Sequence, residues 1–329
     1  MTIQANEIAA VVTQHIDTEL YDGLEKINPL WNHLITNGKK KVSGGTYLQF
    51  PIKLLKNKSQ AFISGTGAII DTTPSQQLQY GVLNWKYNYF SVNFTLADFT
   101  QAANAKEAIR DFIADKKDLA KADYYRDLSE SVYASSASNS LKFEGLADIV
   151  AASGTAYGGL TDTDYTDATK GNYLPYISTD TTLNYISISD LITQSRSRTQ
   201  KMGLNGKMFG LMNPYLFNKM MGELQGSQMF LNGNEIVKAG FQSFNINGVD
   251  FYMDVDCPGT GDGSTSDNYV YLIPEDVLKL TYKYGVDDTS PFDGSIRLPN
   301  QPIVSVQKYM AANMVCNNRR VISVCKTYK

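Results

Sequence analysis

Residues 44–54, GGTYLQFPIKL, and residues 78–94, LQYGVLNWKYNYFSVNF, are the two runs on which the reading of this chain turns. In the first, Leu48, Phe50, Ile52 and Leu54 alternate with Tyr47, Gln49, Pro51 and Lys53, the period of two expected of a half-buried strand. Pro51 has no N–H to give a ladder, so an edge position is expected. The second run is expected to return antiparallel across a glycine-rich tip at 64–67. Leu83, Trp85, Tyr87 and Tyr89 hold one phase, and Phe90, Val92 and Phe94 the other. A one-residue slip of this kind predicts a bulge, or a strand passing from one packing environment to another. A hairpin of some fifty residues cannot cover both of its faces with so little chain between its ends. Another copy of the same protein is the expected cover.

A long amphipathic helix is predicted next, from about Asn104 to Ala134. Asn104 and Glu107 have capping-box spacing. Ala105, Ala108, Ile109, Phe112 and Ile113 share one face, extended by Ala120, Tyr124, Leu128 and Val132. About thirty residues at 1.5 Å each make a helix roughly 45 Å long. Before the hairpin, Ile8, Val11, Val12, Ile16, Leu20 and Leu24 have helical spacing. Pro29 interrupts them, a second patch follows at Trp31, Leu34 and Ile35, and Asn37-Gly38 is a stop signal. This segment is expected to be an arm lying on a surface.

Ser135 to Ser140 reads as a small-residue linker into an α/β unit over 141–275. That unit holds a helix at Ser187–Met202 capped by Ser187 or Ser189, a strand at Met208–Met212, and a helix opening at Pro214. It continues with a hairpin turning at Asn247-Gly248 and a strand at Tyr269–Ile273. From Leu278 strands dominate, ending in a hairpin across Asn317-Asn318 that is expected to pack on the long helix.

Composition sets bounds. The chain has 329 residues, 43% hydrophobic and 19% charged, enough to bury a sizeable core. A formal charge of -3 gives no basic field for gripping phosphates. The cysteines Cys257, Cys316 and Cys325 lack metal-type spacing and read as buried small thiols in a reducing compartment, with Cys316 and Cys325 able to face each other on neighbouring strands. The first residues lack the basic-then-apolar order of a secretory signal, and no run of about twenty apolar residues is present to span a bilayer. Folding in a cytoplasm is expected.

Chemistry is sparse. His15 and His33 are the only histidines, which removes histidine triads and histidine-rich metal sites from the main body. Gly203 to Lys207 lacks the spacing of a phosphate-cradling loop. Asp162, Asp164 and Asp167 cluster without the glycine and glutamate of a calcium loop, and read as a solvated acidic segment. Asp254 and Asp256, on one strand and about 7 Å apart, have the look of paired glycosidase carboxylates but lack a partner segment. Trp85, Tyr87 and Tyr89 form a row that fits a sugar or base platform less well than packing against a neighbour. No catalytic, cofactor-binding or metal-binding residue is assigned, and no enzyme is expected.

The order of segments resembles the major capsid proteins of tailed bacteriophages. INPLWNHLITNGKKKVSGGTYLQFPI is similar to that family's lead into its extended loop, and VLNWKYNYFSVNFTLADF to the return strand. AKEAIRDFIADKKDLAKADYYRDLSESVYA resembles the spine helix, and FEGLADIV the opening of the axial domain. GFQSFNINGVDFYMDVDCP and NNRRVISVCKTY resemble the late hairpin and the closing strand. The resemblance implies an α+β capsid fold divided into an N-terminal arm (1–43), an extended loop (44–95), a peripheral domain with the spine helix (96–140), an axial domain (141–275) and return strands (276–329). It implies a shell of pentamers and hexamers around phage DNA touched without sequence preference, with separate scaffolding and portal proteins, possible decoration proteins, no cofactor and no membrane. The location implied is the virion, with assembly in a host cytoplasm. Crosslinking of the kind some relatives use, between a loop lysine (Lys53, Lys56 or Lys58) and Asn317 or Asn318, has no residue match behind it. An encapsulin-like compartment and a glycan-binding or glycan-cleaving protein built on Trp85, Asp254 and Asp256 are the competing readings.

Overall fold

The computed structural model describes residues 28–53, 62, 78–95, 106–161, 173–204, 206–225, 243–259, 267–283, 294–297 and 303–328. The helical pattern of Ile8 to Leu24, the loop tip at 64–67, Asn104, and Asp162, Asp164 and Asp167 lie outside the described residues, as do Lys56 and Lys58.

Asn28 opens the first described helix, α1 (Pro29–Thr36). Its side chain accepts from the backbone N–H groups of Leu30 and Trp31, and Pro29 supplies a pre-set φ at the first position. Pro29 therefore starts a helix where the sequence suggested an interruption. Leu30, Trp31 and Leu34 are fully buried, which seats this helix in the core. The three lysines that follow form a strand of their own, β1 (Lys39–Val42).

β2 (Tyr47–Lys53) and β3 (Leu78–Asn84) pair antiparallel as a two-stranded ribbon. β4 (Lys86–Thr95) follows β3 after the single break at Trp85. The helix α2 (Lys106–Tyr133) has 28 residues, roughly 42 Å at 1.5 Å per residue. It buries Tyr124, Leu128 and Val132, as their spacing predicts, and Tyr124 meets Phe90 of β4 edge-on at 5.6 Å. The Ser135–Ser140 stretch is tied to the body at its start. Asp148 in the short helix α3 (Leu146–Ile149) accepts from Ser135 Oγ at 2.5 Å and from the Ser136 N–H at 2.7 Å, fixing a turn.

β5 (Tyr176–Ser178) leads to α4 (Tyr185–Lys201), which begins a turn before the expected start. Asn184 is its cap and Ser187 closes a capping box from the third position, so Ser187 caps in reverse. β6 (Met208–Met212) and α5 (Pro214–Gln225) fall where the sequence puts them, and Asn213 caps the Leu216 N–H at 3.0 Å. β7 (Ser243–Ile246) and β8 (Val249–Met253) turn at Asn247 (φ 51°) and Gly248 (φ 74°), the paired positive φ of a type I′ turn. The last strands are β9 (Asn268–Pro274), β10 (Leu278–Lys283), β11 (Gly294–Arg297), β12 (Ile303–Cys316) and β13 (Ser323–Tyr328).

Two larger sheets result. In the first, β12 carries β4 along one edge, and β10 and β11 on the other, with β1 outermost and parallel to β10. The second runs β5-β13-β9-β6-β8-β7. β12 and β13 share no ladder, so the expected closing hairpin does not form. A 3-10 turn at Arg319–Val321, capped by Asn318, carries the chain from one sheet into the other. Cys316 and Cys325 thus lie in different sheets, and all three cysteines are free and buried.

Alternation along the second sheet splits the interior. Tyr271 and Ile273 of β9, with Phe209 and Leu211 of β6, face the core shared with α1, α2 and the first sheet. Val270, Leu272, Met208 and Met212 face α4 and α5 in the other core. A strand buried on both faces reads as a continuous apolar run, which is what Tyr269 to Ile273 is.

Candidate assembly surface and the junction beneath it

The ribbon β2–β3 has one buried and one open face. Leu48 pairs with Leu83 and Phe50 with Gly81, and these side chains enter the core. A methyl group on Gly81 would stand 2.5 Å from the Phe50 ring, so the glycine is what lets that ring lie flat over the ribbon. Phe50 also lies 6.0 Å from Tyr157, and the Val82 N–H donates to the Gly158 carbonyl at 2.9 Å. These contacts root the ribbon in the body. On the opposite face Tyr47, Gln49 and Pro51 stand against Asn84, Val82 and Tyr80. Tyr47 and Tyr80 are each 57% exposed, Leu78 53% and Val82 40%. The apolar stripe on the ribbon's outer face has no cover from its own chain among the described residues.

The phase slip in the return strand falls at Trp85–Lys86, where two successive residues are both buried. Trp85 donates Nε1–H to the Gly45 carbonyl at 3.0 Å, closing the base of the ribbon. Beyond it Phe90 and Val92 face α2, while Tyr87 and Tyr89 are exposed on the far side of the sheet. Tyr89 pairs with Tyr309 of β12, rings 6.3 Å apart. Trp85, Tyr87 and Tyr89 therefore do not form one platform. The strand passes from the ribbon into the first sheet and presents opposite faces on either side of the break. Tyr309 joins the exposed patch without any sequence signal, because only strand pairing brings it there.

Asp254 and Asp256 follow the end of β8 and lie in a turn, not on the strand that was expected to align them. Asp254 is 2% exposed and accepts from Tyr133 Oη at 2.5 Å, the Asp256 N–H at 3.0 Å and Asn28 Nδ2 at 3.3 Å. Asp256 accepts from Ser129 Oγ and from Asn28 Nδ2, the latter at 3.4 Å. Burial raises the Asp254 carboxyl from the ordinary 3.8 to about 6, while the Tyr133 hydroxyl and the Asp256 N–H pull it back down. Burial, then the Asp254 charge, push the Tyr133 phenol up. The two carboxylates thus pin the start of α1 and the end of α2 to the second sheet. Of the three residues the glycan reading invoked, Trp85 and Asp254 are withdrawn from solvent and Asp256 is half-buried.

Other candidates resolve as packing. His33 is buried 4.2 Å from the Phe209 ring, and burial lowers it from 6.5 to about 4. Among the described residues no three His, Cys, Asp or Glu side chains gather to hold a metal, and no helix is long and apolar enough to cross a membrane. Asn318 spends its side chain on the Arg320 N–H.

No family model matches the chain, and no curated protein matches its sequence. Solved structures do match its shape. The capsid of cyanophage A-1(L) aligns at a TM-score of 0.62 with 13% identity, covering 92% of this chain and 93% of that one. The capsid of a native GTA particle aligns at 0.58, with 11% identity and 90% of each chain covered. This chain has the tailed-phage capsid fold. The SrpI encapsulin complex of Synechococcus elongatus shares the fold too, at 0.55 and 9% identity over 91% of this chain and 88% of that one. At such identities the capsid fold is held by the pattern of apolar positions and not by particular residues. The order of segments therefore pointed to it where no single motif sufficed.

Proposed function

We propose that this protein is a major capsid protein, assembling as pentamers and hexamers into an icosahedral shell around phage double-stranded DNA. One observation carries the reading: the ribbon β2–β3 is rooted by Phe50 and Trp85 yet exposes Tyr47, Leu78, Tyr80 and Val82 on its outer face. A rooted element with an uncovered apolar stripe is completed by a neighbouring copy. Around a ring, such a head-to-tail contact closes, and many modest contacts add up to a stable shell. The fold shared with phage and GTA capsids supports this. In this reading residues 1–43 are the arm, 44–95 the extended loop, 96–140 and 276–329 the peripheral domain, and 141–275 the axial domain. Scaffolding and portal proteins are separate chains, as is any decoration protein, and the virion is the location.

Expressed alone or with its scaffold, the protein should give capsomers or shells by negative-stain electron microscopy. Removal of residues 56–74 should abolish shells while the subunit stays folded. A monodisperse monomer at high concentration would overturn the proposal. The fold shared with the encapsulin favours a cellular compartment as the second reading. Small shells with protein cargo and no DNA would decide for it.

A further inference from the structure

β1 reads KKKV and β10 reads LKLTYK, five lysines in ten residues with no acidic residue among them. The whole chain carries 30 lysines and arginines in 329 residues, so its formal charge of -3 conceals a local basic edge. The two strands pair in parallel with Lys40 beside Thr281, and β1 is outermost in the first sheet. Paired residues share a face, and so do residues two apart along one strand. Lys40, Lys279 and Lys283 therefore stand on the same face, Lys40 one strand over from the midpoint of the other two. From strand geometry their backbone positions lie roughly 8, 8 and 13 Å apart. Lys40 is exposed, and Lys279 and Lys283 are half-buried. Among the described residues none of the three has an acidic partner. On the other face Lys39 is held over the Tyr282 ring at 5.0 Å. Like charges grouped on a strand pair repel and weaken the pairing unless an anion lies over them.

The chemistry of the group selects the anion. Contacts between proteins are rich in arginine and aromatic residues and poor in lysine, and paired recognition of a carboxylate uses the arginine fork. Neither β1 nor β10 holds an arginine, and no large apolar residue of either strand is exposed. Point charges on flexible stems suit a row of phosphates, which asks for charge more than for fixed geometry. We propose that this edge binds the phosphate backbone of duplex DNA through Lys40, Lys279 and Lys283, without sequence preference. The inference rests on the reading of this protein as a shell around DNA, and assigns the surface that meets the DNA. Lys41, exposed on the outermost strand, adds to the same local field.

Fluorescence anisotropy of a short labelled duplex, titrated with the full chain over a series of salt concentrations, tests this. With three phosphates neutralised, log affinity should fall against log salt with a slope of about -2.7, a loss of roughly 40-fold between about 50 and 200 mM. Lys40→Gln, Lys279→Gln and Lys283→Gln should each reduce that slope by about 0.9, and duplexes of unrelated sequence should bind alike. The triple variant should lose nearly all the salt dependence while its urea midpoint holds or rises, because clustered like charges are gone. Lys40→Gln, at an exposed site, reads the slope even where the half-buried positions disturb the strand. A wild-type chain that does not bind DNA overturns the proposal, as does a triple variant that keeps the wild-type slope. So does a triple variant that binds DNA normally yet no longer forms shells, which makes the edge a contact with an acidic surface of a second copy. Shells formed by a chain that ignores DNA sink this inference and leave the shell reading standing. A monomer that binds DNA through these lysines does the reverse.

Discussion

Placing charge on the outer face of the ribbon should stop assembly without unfolding the subunit. The variant is Tyr80→Lys with Val82→Lys, two positions whose side chains point away from the core. A tyrosine side chain buries roughly 200 Å² when fully covered, so 57% exposure leaves roughly 110 Å² for a partner. At about 25 cal/mol per Å² that surface is worth about 3 kcal/mol, and the 40% exposed Val82 adds about 1 kcal/mol. If a neighbour covers only half of this, the substitution removes about 2 kcal/mol per contact, a weakening of roughly 30-fold. Lysine side chains facing an apolar partner weaken it further through desolvation. Because a shell repeats the contact in every subunit, the concentration at which shells appear should rise steeply. Light scattering or sedimentation across a concentration series reads this, and urea denaturation of the unassembled subunit reads the fold. The reasoning is refuted if shells form at the wild-type concentration, or if the variant subunit loses more than about 1 kcal/mol of stability, which would place these side chains in the core.

Leu128→Ala should cost about 2–5 kcal/mol, seen as a lower urea midpoint, because Leu128 is fully enclosed between α2 and the first sheet. Two buried groups titrate with opposite sign on acidification. Asp254 holds its proton more tightly in the fold (about 6) than in the unfolded chain (3.8), so its contribution is full below pH 3.8 and lost as pH rises through 6. His33 is lowered to about 4 from 6.5, so its contribution is present above pH 6.5 and lost as pH falls through 4. Each is worth at most about 3 kcal/mol and they offset each other in the wild type. Asp254→Asn should therefore leave His33 unopposed and make stability fall between pH 6.5 and 4, whereas an unchanged pH profile counts against the buried junction. Gly81→Ala should drive the Phe50 ring from its seat and loosen the ribbon, detected as faster amide exchange at Val82 and Leu83. The thiols of Cys257, Cys316 and Cys325, all pushed up by burial, should resist a thiol reagent until the protein is unfolded.

By itself the sequence determined the elements whose side chains follow one period against one partner. Leu48, Phe50 and Ile52 alternate because one face of the ribbon is buried, and Tyr124, Leu128 and Val132 recur because one stripe of α2 is. Asn247-Gly248 announced its turn because positive φ at two successive positions suits few other residues. Tertiary structure alone decided whatever depends on chain segments far apart. Asn28, Ser129 and Asp254 meet across more than two hundred residues, and Lys86, Glu144 and Asn313 do likewise, with no local pattern to mark them. β12 and β13 looked like a hairpin because a tight turn separates two apolar runs. The buried 3-10 turn at Arg319–Val321 and the free edge of β9 sent β13 into the other sheet. Local periodicity fixes which face of an element is apolar, but which surface covers that face is settled by long-range pairing, where each contact is weak and only the whole packed arrangement selects it.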